Sequence, residues 1–158
     1  MRKLTLVFVA AAIAAPLAAL APARPAVAAI PFTTIEKGFF SGWPNGAAEV
    51  VIQRQRVWLA VWNDHVSNQF PKPPAPAVDF ATETVYAVFM GTQFPSGHEI
   101  EITSIESNGS QIDVFLTETS PSPNCITIPV FNQPYHLVRL PKTALPVVFH
   151  HVPVVNPC

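Results

Sequence analysis

The sequence is poor in charge and in cysteine. Charged residues make up 12% of the 158-residue chain, which has only two cysteines, Cys125 and Cys158. Beyond residue 28 there remain six basic and ten acidic residues, a net charge of −4. This sign disfavours nucleic acid as a partner, because lysine and arginine must neutralise its phosphates. It also disfavours a polybasic contact with anionic lipid. The remaining length of about 130 residues suffices for one domain with a hydrophobic core.

The first 28 residues have the layout of a bacterial secretory signal peptide. Two basic residues precede an apolar run over 4–15, and Ala26-Val27-Ala28 supplies the small residues that a signal peptidase reads. The expected cut follows this triplet, and Ala21-Pro22-Ala23 offers an alternative. A membrane anchor is the competing interpretation, but it needs about 20 consecutive apolar residues, and prolines and an arginine interrupt this segment. We therefore predict a signal peptide over 1–28 and one exported domain over 29–158, periplasmic or extracellular, without a membrane span in the mature form.

An exported location changes the expectation for the two cysteines, because an oxidising compartment favours pairing. One pair allows a single intramolecular bond, so we predict a disulfide between Cys125 and Cys158, with two free thiols as the alternative. The strands predicted at 134–140 and 147–152 are expected to pair like a hairpin. That pairing would bring the loop before the first strand and the tail after the second to one edge.

The periodicity of the apolar residues predicts an α+β fold, a mostly antiparallel sheet with one amphipathic helix packed on it. The residues on one face of the predicted helix, 54–68, are Trp58, Leu59, Trp62 and Val66. The prolines of segment 71–76 end this helix and predict a stiff extended connector; a docking motif for a proline-binding module is the alternative. Segment 84–90 is apolar on both faces, which is typical of a central strand.

The dipeptide Asn108-Gly109 lies between two β-rich segments and indicates a two-residue hairpin turn. Such a turn pairs Ile105 with Ile112. The apolar alternation of the second strand then fits the first strand only if one extra residue is inserted near 103–104. The sequence therefore predicts a β-bulge at that point.

Motifs of catalysis are scarce in this sequence. It has no G-x-S-x-G, H-E-x-x-H, P-loop or G-x-G-x-x-G pattern. His150 and His151 are adjacent in a predicted strand and point to opposite faces, so they cannot chelate one ion together. Ser96 and His98, near Glu99 and Asp79, form a candidate for a hydrolytic pair, against the simpler interpretation of a turn serine and a surface histidine. We predict no catalytic residue, no cofactor and no metal site.

Several segments of the chain stand in a recognisable order. They are Val78-Asp79-Phe80, 85–91, 95–102 and 134–142, with Trp58 and Trp62 in the preceding helix. This order resembles the PrcB C-terminal domain family, and the resemblance covers roughly 35–152, nearly the whole of the predicted domain. Where the family has a Thr-Gly-Gly-Tyr type turn, this chain reads Pro95-Ser96-Gly97-His98, so the second glycine is kept and the tyrosine is replaced.

The resemblance implies an exported subunit without catalytic activity that associates with a secreted protease and supports its stability or assembly. We therefore expect a protein–protein interaction domain whose partner is a secreted protease or another exported protein. The residues of the family-motif turn are Gly91, Ser96, Gly97 and His98. The residues expected in the structural core are Trp58, Trp62, Phe80 and Tyr135. Two alternatives stay open: a small secreted hydrolase that uses Ser96 and His98, and a protease inhibitor that presents the proline-rich loop 121–129.

Overall fold

The structure, a computed structural model, describes residues 27–158. The predicted signal peptide lies outside the described residues except for its last two positions. Within the described range the elements are β1 (Ala28–Ala29), β2 (Thr33–Gly38), β3 (Ala47–Ile52), α1 (Gln55–His65), β4 (Glu83–Met90), β5 (Glu99–Ser107), β6 (Ile112–Pro121), β7 (Tyr135–Pro141) and β8 (Val147–Asn156).

The strands form two four-stranded sheets. The first sheet has the order β1-β5-β6-β8 and the second the order β2-β7-β4-β3. Neighbouring strands are antiparallel except β6 and β8, which are parallel. The α+β prediction is thereby confirmed, although the expected single sheet is in fact two.

The apolar faces of β4 explain why there are two sheets. Tyr86 and Val88 point into a core shared with the first sheet, where Ile102 and Leu116 contribute. The alternate residues of the same strand, such as Val85, pack against α1 on the other face. A strand that is apolar on both faces must be covered on both, so the chain builds three layers: first sheet, second sheet and helix.

Helix α1 packs on the second sheet through its tryptophans. Trp58 and Trp62 are buried, and their indole Nε1–H groups donate to the carbonyl oxygens of Pro76 and Pro73, each at 3.0 Å. These two hydrogen bonds hold the proline-rich connector against the helix. The carbonyl oxygens of Pro73 and Pro76 therefore already have hydrogen-bond donors within the domain. Leu59, expected on the buried face, is 43% exposed. It follows Trp58 by about 100° around the helix axis and turns towards solvent.

The β5–β6 connection differs in part from the prediction. Ser107 pairs with Ile112, so residues 108–111 form a four-residue loop and the two-residue turn was wrong. The Asn108 carboxamide oxygen accepts hydrogen bonds from the backbone N–H groups of Ser110 and Gln111, each at 3.0 Å, which stabilises the longer loop. The bulge is confirmed, since the register shifts between Ile102 and Ser104.

Gly109 has φ +85°, in the left-handed region that β-branched residues resist. We expect Gly109→Val to lower the free energy of unfolding by about 1–2 kcal/mol, the cost of a left-handed residue with a side chain. Nothing lies within 4 Å of a Cβ built there, so the loss would come from the backbone alone. Gly109→Asn, which tolerates this conformation, should lose less. Equal losses for both variants in urea unfolding would contradict the explanation.

The last strand lies in a different place from the one expected. Strand β8 does not pair with β7, whose two sides are taken by β2 and β4; it runs parallel to β6 in the first sheet. Parallel strands end at the same edge, so the end of β8 lies beside the loop that leaves β6. The Ser122 amide donates to the Asn156 carbonyl at 3.0 Å, and the structure joins Cys125 to Cys158 with 5.8 Å between their Cα atoms. The disulfide therefore forms by a route that the sequence did not indicate.

Candidate functional site

Three loops meet at one end of the second sheet. The Gln133 amide donates to the Phe39 carbonyl at 2.7 Å. Gln93 and Asn132 exchange two backbone hydrogen bonds of 2.8 and 3.0 Å. The Ser96 amide donates to the Ile128 carbonyl at 3.1 Å. These bonds hold the loop after β2, the β4–β5 loop and the β6–β7 loop in one continuous surface.

This surface carries no acidic or basic side chain apart from histidine. Segments 38–48, 91–98 and 119–135 contain no Asp, Glu, Lys or Arg, and together we name them the uncharged end surface. Its exposed large apolar residues are Phe39, Phe40, Phe94, Ile126, Ile128, Val130 and Phe131. The rings of Phe94 and Phe131 lie 5.0 Å apart, and Phe131 is 68% exposed. A rim of apolar rings in three hydrogen-bonded loops is typical of a docking surface.

The family-motif turn lies within this surface and shapes it. Gly91 and Gly97 have φ +72° and +102°, and a Cβ on Gly91 would lie 2.8 Å from the Ala47 nitrogen. Only glycine suits such positions. The Ser96 hydroxyl accepts a hydrogen bond from the Ile128 amide at 3.0 Å, so the turn fixes the β6–β7 loop.

The candidate hydrolytic pair is not assembled. No hydrogen bond joins Ser96 to His98 in the described part of the chain; His98 Nδ1 instead lies 3.3 Å from the Ser120 hydroxyl. The nearby carboxylate of Glu99 is 2.5 Å from Lys37 Nζ. Serine, histidine and carboxylate thus have separate partners, and the geometry does not support a hydrolase at this turn.

The residues expected in the core lie on the helix side of the second sheet. Trp58, Trp62 and Tyr135 are buried, and Phe80 is half-buried and packs against the same cluster. They belong to the core and are not exposed residues of the uncharged end surface.

A serine–histidine–glutamate chain that the sequence did not indicate lies under the surface. The Ser41 hydroxyl lies 2.9 Å from His65 Nδ1, and His65 Nε2 lies 3.2 Å from Glu36, which also accepts from the Tyr135 hydroxyl at 2.9 Å. A carboxylate can only accept, so His65 donates from Nε2 and accepts at Nδ1. Burial lowers the pKa of His65, and Glu36 only partly opposes this. Ser41 is 1% exposed and its oxygen also accepts from the Trp43 amide, so the chain anchors the helix and reaches no substrate.

A second buried histidine joins the two sheets. His136 Nδ1 accepts from the Ile102 amide at 2.9 Å, beside the β-bulge, and its Nε2 lies 2.9 Å from the Thr34 hydroxyl. Burial, reinforced by the positive charge of Lys37, lowers the pKa of His136 to about 4. The neutral ring is thus the form that holds both bonds. Contacts of this kind join residues far apart in the chain, so no local sequence pattern predicts them.

The pKa of His136 makes the free energy of unfolding depend on pH. The unfolded histidine takes up a proton near its ordinary pKa of 6.5, whereas the folded one stays neutral down to about 4. Stability from the neutral ring is therefore complete above pH 6.5 and is lost as the pH falls from 6.5 to about 4. We expect urea unfolding at a series of pH values to show this decline. His136→Asn keeps an acceptor near the Ile102 amide without titrating, so its profile should be flatter; an unchanged profile would assign the decline to other groups.

Within residues 27–158, no group of three or more His, Cys, Asp or Glu side chains is arranged to hold a metal ion. No helix in this range is both long and apolar enough to cross a bilayer.

Part of the chain that forms the uncharged end surface matches a known protein family. Residues 84–141 match the family model described as PrcB C-terminal. This segment belongs to the PrcB C-terminal family. The family prediction is confirmed for this segment, which runs from β4 through β7, whereas the wider extent predicted for the resemblance, roughly 35–152, stays a prediction. No curated protein and no solved structure matches the chain.

The PrcB C-terminal segment contains most of the uncharged end surface. The β4–β5 loop with its motif turn and the whole β6–β7 loop, including Cys125, lie inside the match. The remaining part of the surface, around Phe39 and Phe40, comes from the chain before it, and Cys158 from the chain after it. The sequence could have indicated the surface through its three uncharged segments, but only the fold shows that they meet.

Proposed function

We propose that this protein is an exported, non-catalytic protein-interaction domain that docks on a secreted protease through the uncharged end surface, as a stabilising or accessory subunit. The observation that carries the proposal is the surface itself: exposed apolar rings on three loops that backbone hydrogen bonds hold together. The PrcB C-terminal match supports the type of partner.

The composition of the surface agrees with that of protein interfaces. The cores of interfaces are depleted in charged residues and enriched in aromatic ones. Binding energy concentrates in a few rings that fill pockets on the partner and lose water completely. Phe40 and Phe131 are the best candidates for such anchors, because they are the most exposed phenylalanines of this surface.

The test is binding to defined proteases. Tagged protein is co-expressed with each exported protease of its native host in turn, and complexes are isolated by affinity and size-exclusion chromatography. We expect one protease to be retained and to survive longer in the complex. The double variant Phe40→Ala, Phe131→Ala should weaken binding at least tenfold, about 1.4 kcal/mol. Phe70→Ala removes a fully exposed ring outside this surface and should change nothing. Retention of no protease, or equal retention by the double variant, would refute the proposal.

One observation favours protease inhibition as a second candidate function. Ile126 is fully exposed and stands between the disulfide at Cys125 and the two hydrogen bonds that join Ile128 to Ser96. A protruding apolar residue between two fixed points suits the active site of a protease with an apolar specificity pocket. Residual activity of pancreatic elastase and subtilisin with increasing protein tests this. Inhibition that Ile126→Asp abolishes would support it, and full activity at a large excess of protein would exclude it.

A further inference from the structure

The uncharged end surface contains a small apolar cavity of about 220 Å³. The residues that line it are Phe39, Phe40, Ser96, Gly97 and Asn132. Pockets for drug-sized ligands span roughly 300–1,000 Å³, and a cavity of about 150 Å³ already accepts benzene. Its size therefore suits one aromatic ring or one branched aliphatic side chain.

The geometry points to an occupant of defined chemistry: a single Leu- or Phe-sized side chain carried by an uncharged, extended segment of the partner. This inference rests on the proposed function and names what the docking surface recognises. A second cavity of about 360 Å³ shares Phe40 and Asn132 with the first and adds Asn68, Thr92, Phe131 and Gln133. The apolar cavity thus continues into an uncharged groove with both polar and apolar walls, which a backbone can follow while its side chain enters the cavity.

The absence of charge defines the selectivity. A Lys or Glu side chain in the cavity would lose its hydration and find no opposite charge in segments 38–48, 91–98 and 119–135. The Asn132 side chain forms part of the wall that both cavities share. Its Nδ2 donates to the His98 carbonyl at 3.1 Å, which fixes the orientation of the carboxamide.

The experiment is an NMR titration of the ¹⁵N-labelled protein with acetylated, amidated pentapeptides Ser-Gly-X-Gly-Ser. With X as Leu or Phe, we expect saturable shifts of the backbone amides of Phe40, Gly97 and Asn132. With X as Lys or Glu, apparent affinity should be at least tenfold weaker. The Leu and Phe affinities should not fall between about 50 mM and about 500 mM NaCl, since no ion pair is screened.

Variants identify the cavity as the binding site. Phe40→Ala removes one wall and should weaken Leu-peptide binding at least fivefold, whereas the matched control Phe70→Ala should leave it unchanged. Equal binding of the Lys and Leu peptides, or no saturable shift with any peptide, would overturn the inference. Shifts of the same amides with protein concentration alone would also overturn it, because a second copy would then be the occupant.

The outcomes separate this inference from the proposed function. Peptide binding at the cavity together with unchanged protease capture by Phe40→Ala, Phe131→Ala would refute the proposed function alone. Loss of protease capture in that double variant, with no peptide binding, would refute the cavity inference alone.

Discussion

Replacing Trp58 by alanine is expected to lower the free energy of unfolding by about 3–5 kcal/mol, a large part of the roughly 5–15 kcal/mol typical of a domain. Trp58 is fully buried between α1 and the second sheet. Its loss leaves a cavity in that layer and also frees the Pro76 carbonyl, which accepts from the indole at 3.0 Å. Urea unfolding followed by far-ultraviolet circular dichroism measures the change without relying on tryptophan fluorescence.

The control for this prediction lies on the same helix. Leu59→Ala shortens a side chain that faces solvent and should cost less than about 1 kcal/mol. Should Trp58→Ala be too unstable to purify, Trp58→Phe keeps most of the apolar volume and isolates the loss of the indole hydrogen bond and part of the packing. Equal stability of Trp58→Ala and Leu59→Ala would show that the helix does not anchor the core.

Reduction of the Cys125–Cys158 disulfide is the second large effect expected. The two cysteines are 33 residues apart in sequence. Chain-entropy reasoning gives roughly 3–4 kcal/mol of stabilisation for a loop of that length. Because Cys158 is exposed and Cys125 half-buried, a reductant reaches the bond in the folded protein. The melting temperature and the free energy of unfolding should both fall in dithiothreitol.

The matched control is the double variant Cys125→Ser, Cys158→Ser. It should have the stability of the reduced wild type and should not respond to dithiothreitol. A wild type whose melting temperature does not change on reduction would show that the parallel pairing of β8 with β6 holds the C-terminal strand without the covalent bond.

The disulfide also bears on the uncharged end surface. Cys125 begins the half of the β6–β7 loop that carries Ile126, Ile128 and Phe131, and the Ser96 hydrogen bonds hold the same loop farther along. Two fixed points limit the conformations of the free loop, so less entropy is lost when a partner binds. The fold thus supports the proposed docking role through loop geometry.

Local patterns in the sequence predicted the local structure well. The spacing of Trp58 and Trp62 indicated the helix face, the two apolar faces of segment 84–90 indicated a central strand, and the mismatch of alternation near residue 103 indicated the bulge. The two-residue turn was wrong because the Asn108 side chain satisfies the amides of a longer loop, and Asn-Gly occurs in both. The pairing expected for β8 was wrong because adjacency in sequence does not fix which sheet a strand joins.

By itself, the sequence determined the α+β composition, the helix face and the membership of segment 84–141 in the PrcB C-terminal family, since periodicity and motif order are written along the chain. Only the tertiary structure decided that there are two sheets, that β8 runs parallel to β6, and that Phe39, Phe40, Phe94 and Phe131 share one surface. It also brought Ser41, His65 and Glu36 together and separated Ser96 from His98. The physical reason is that contacts between residues far apart in the chain depend on which faces are buried together. The pattern of one segment shows which of its faces is apolar, but not which other segment covers that face.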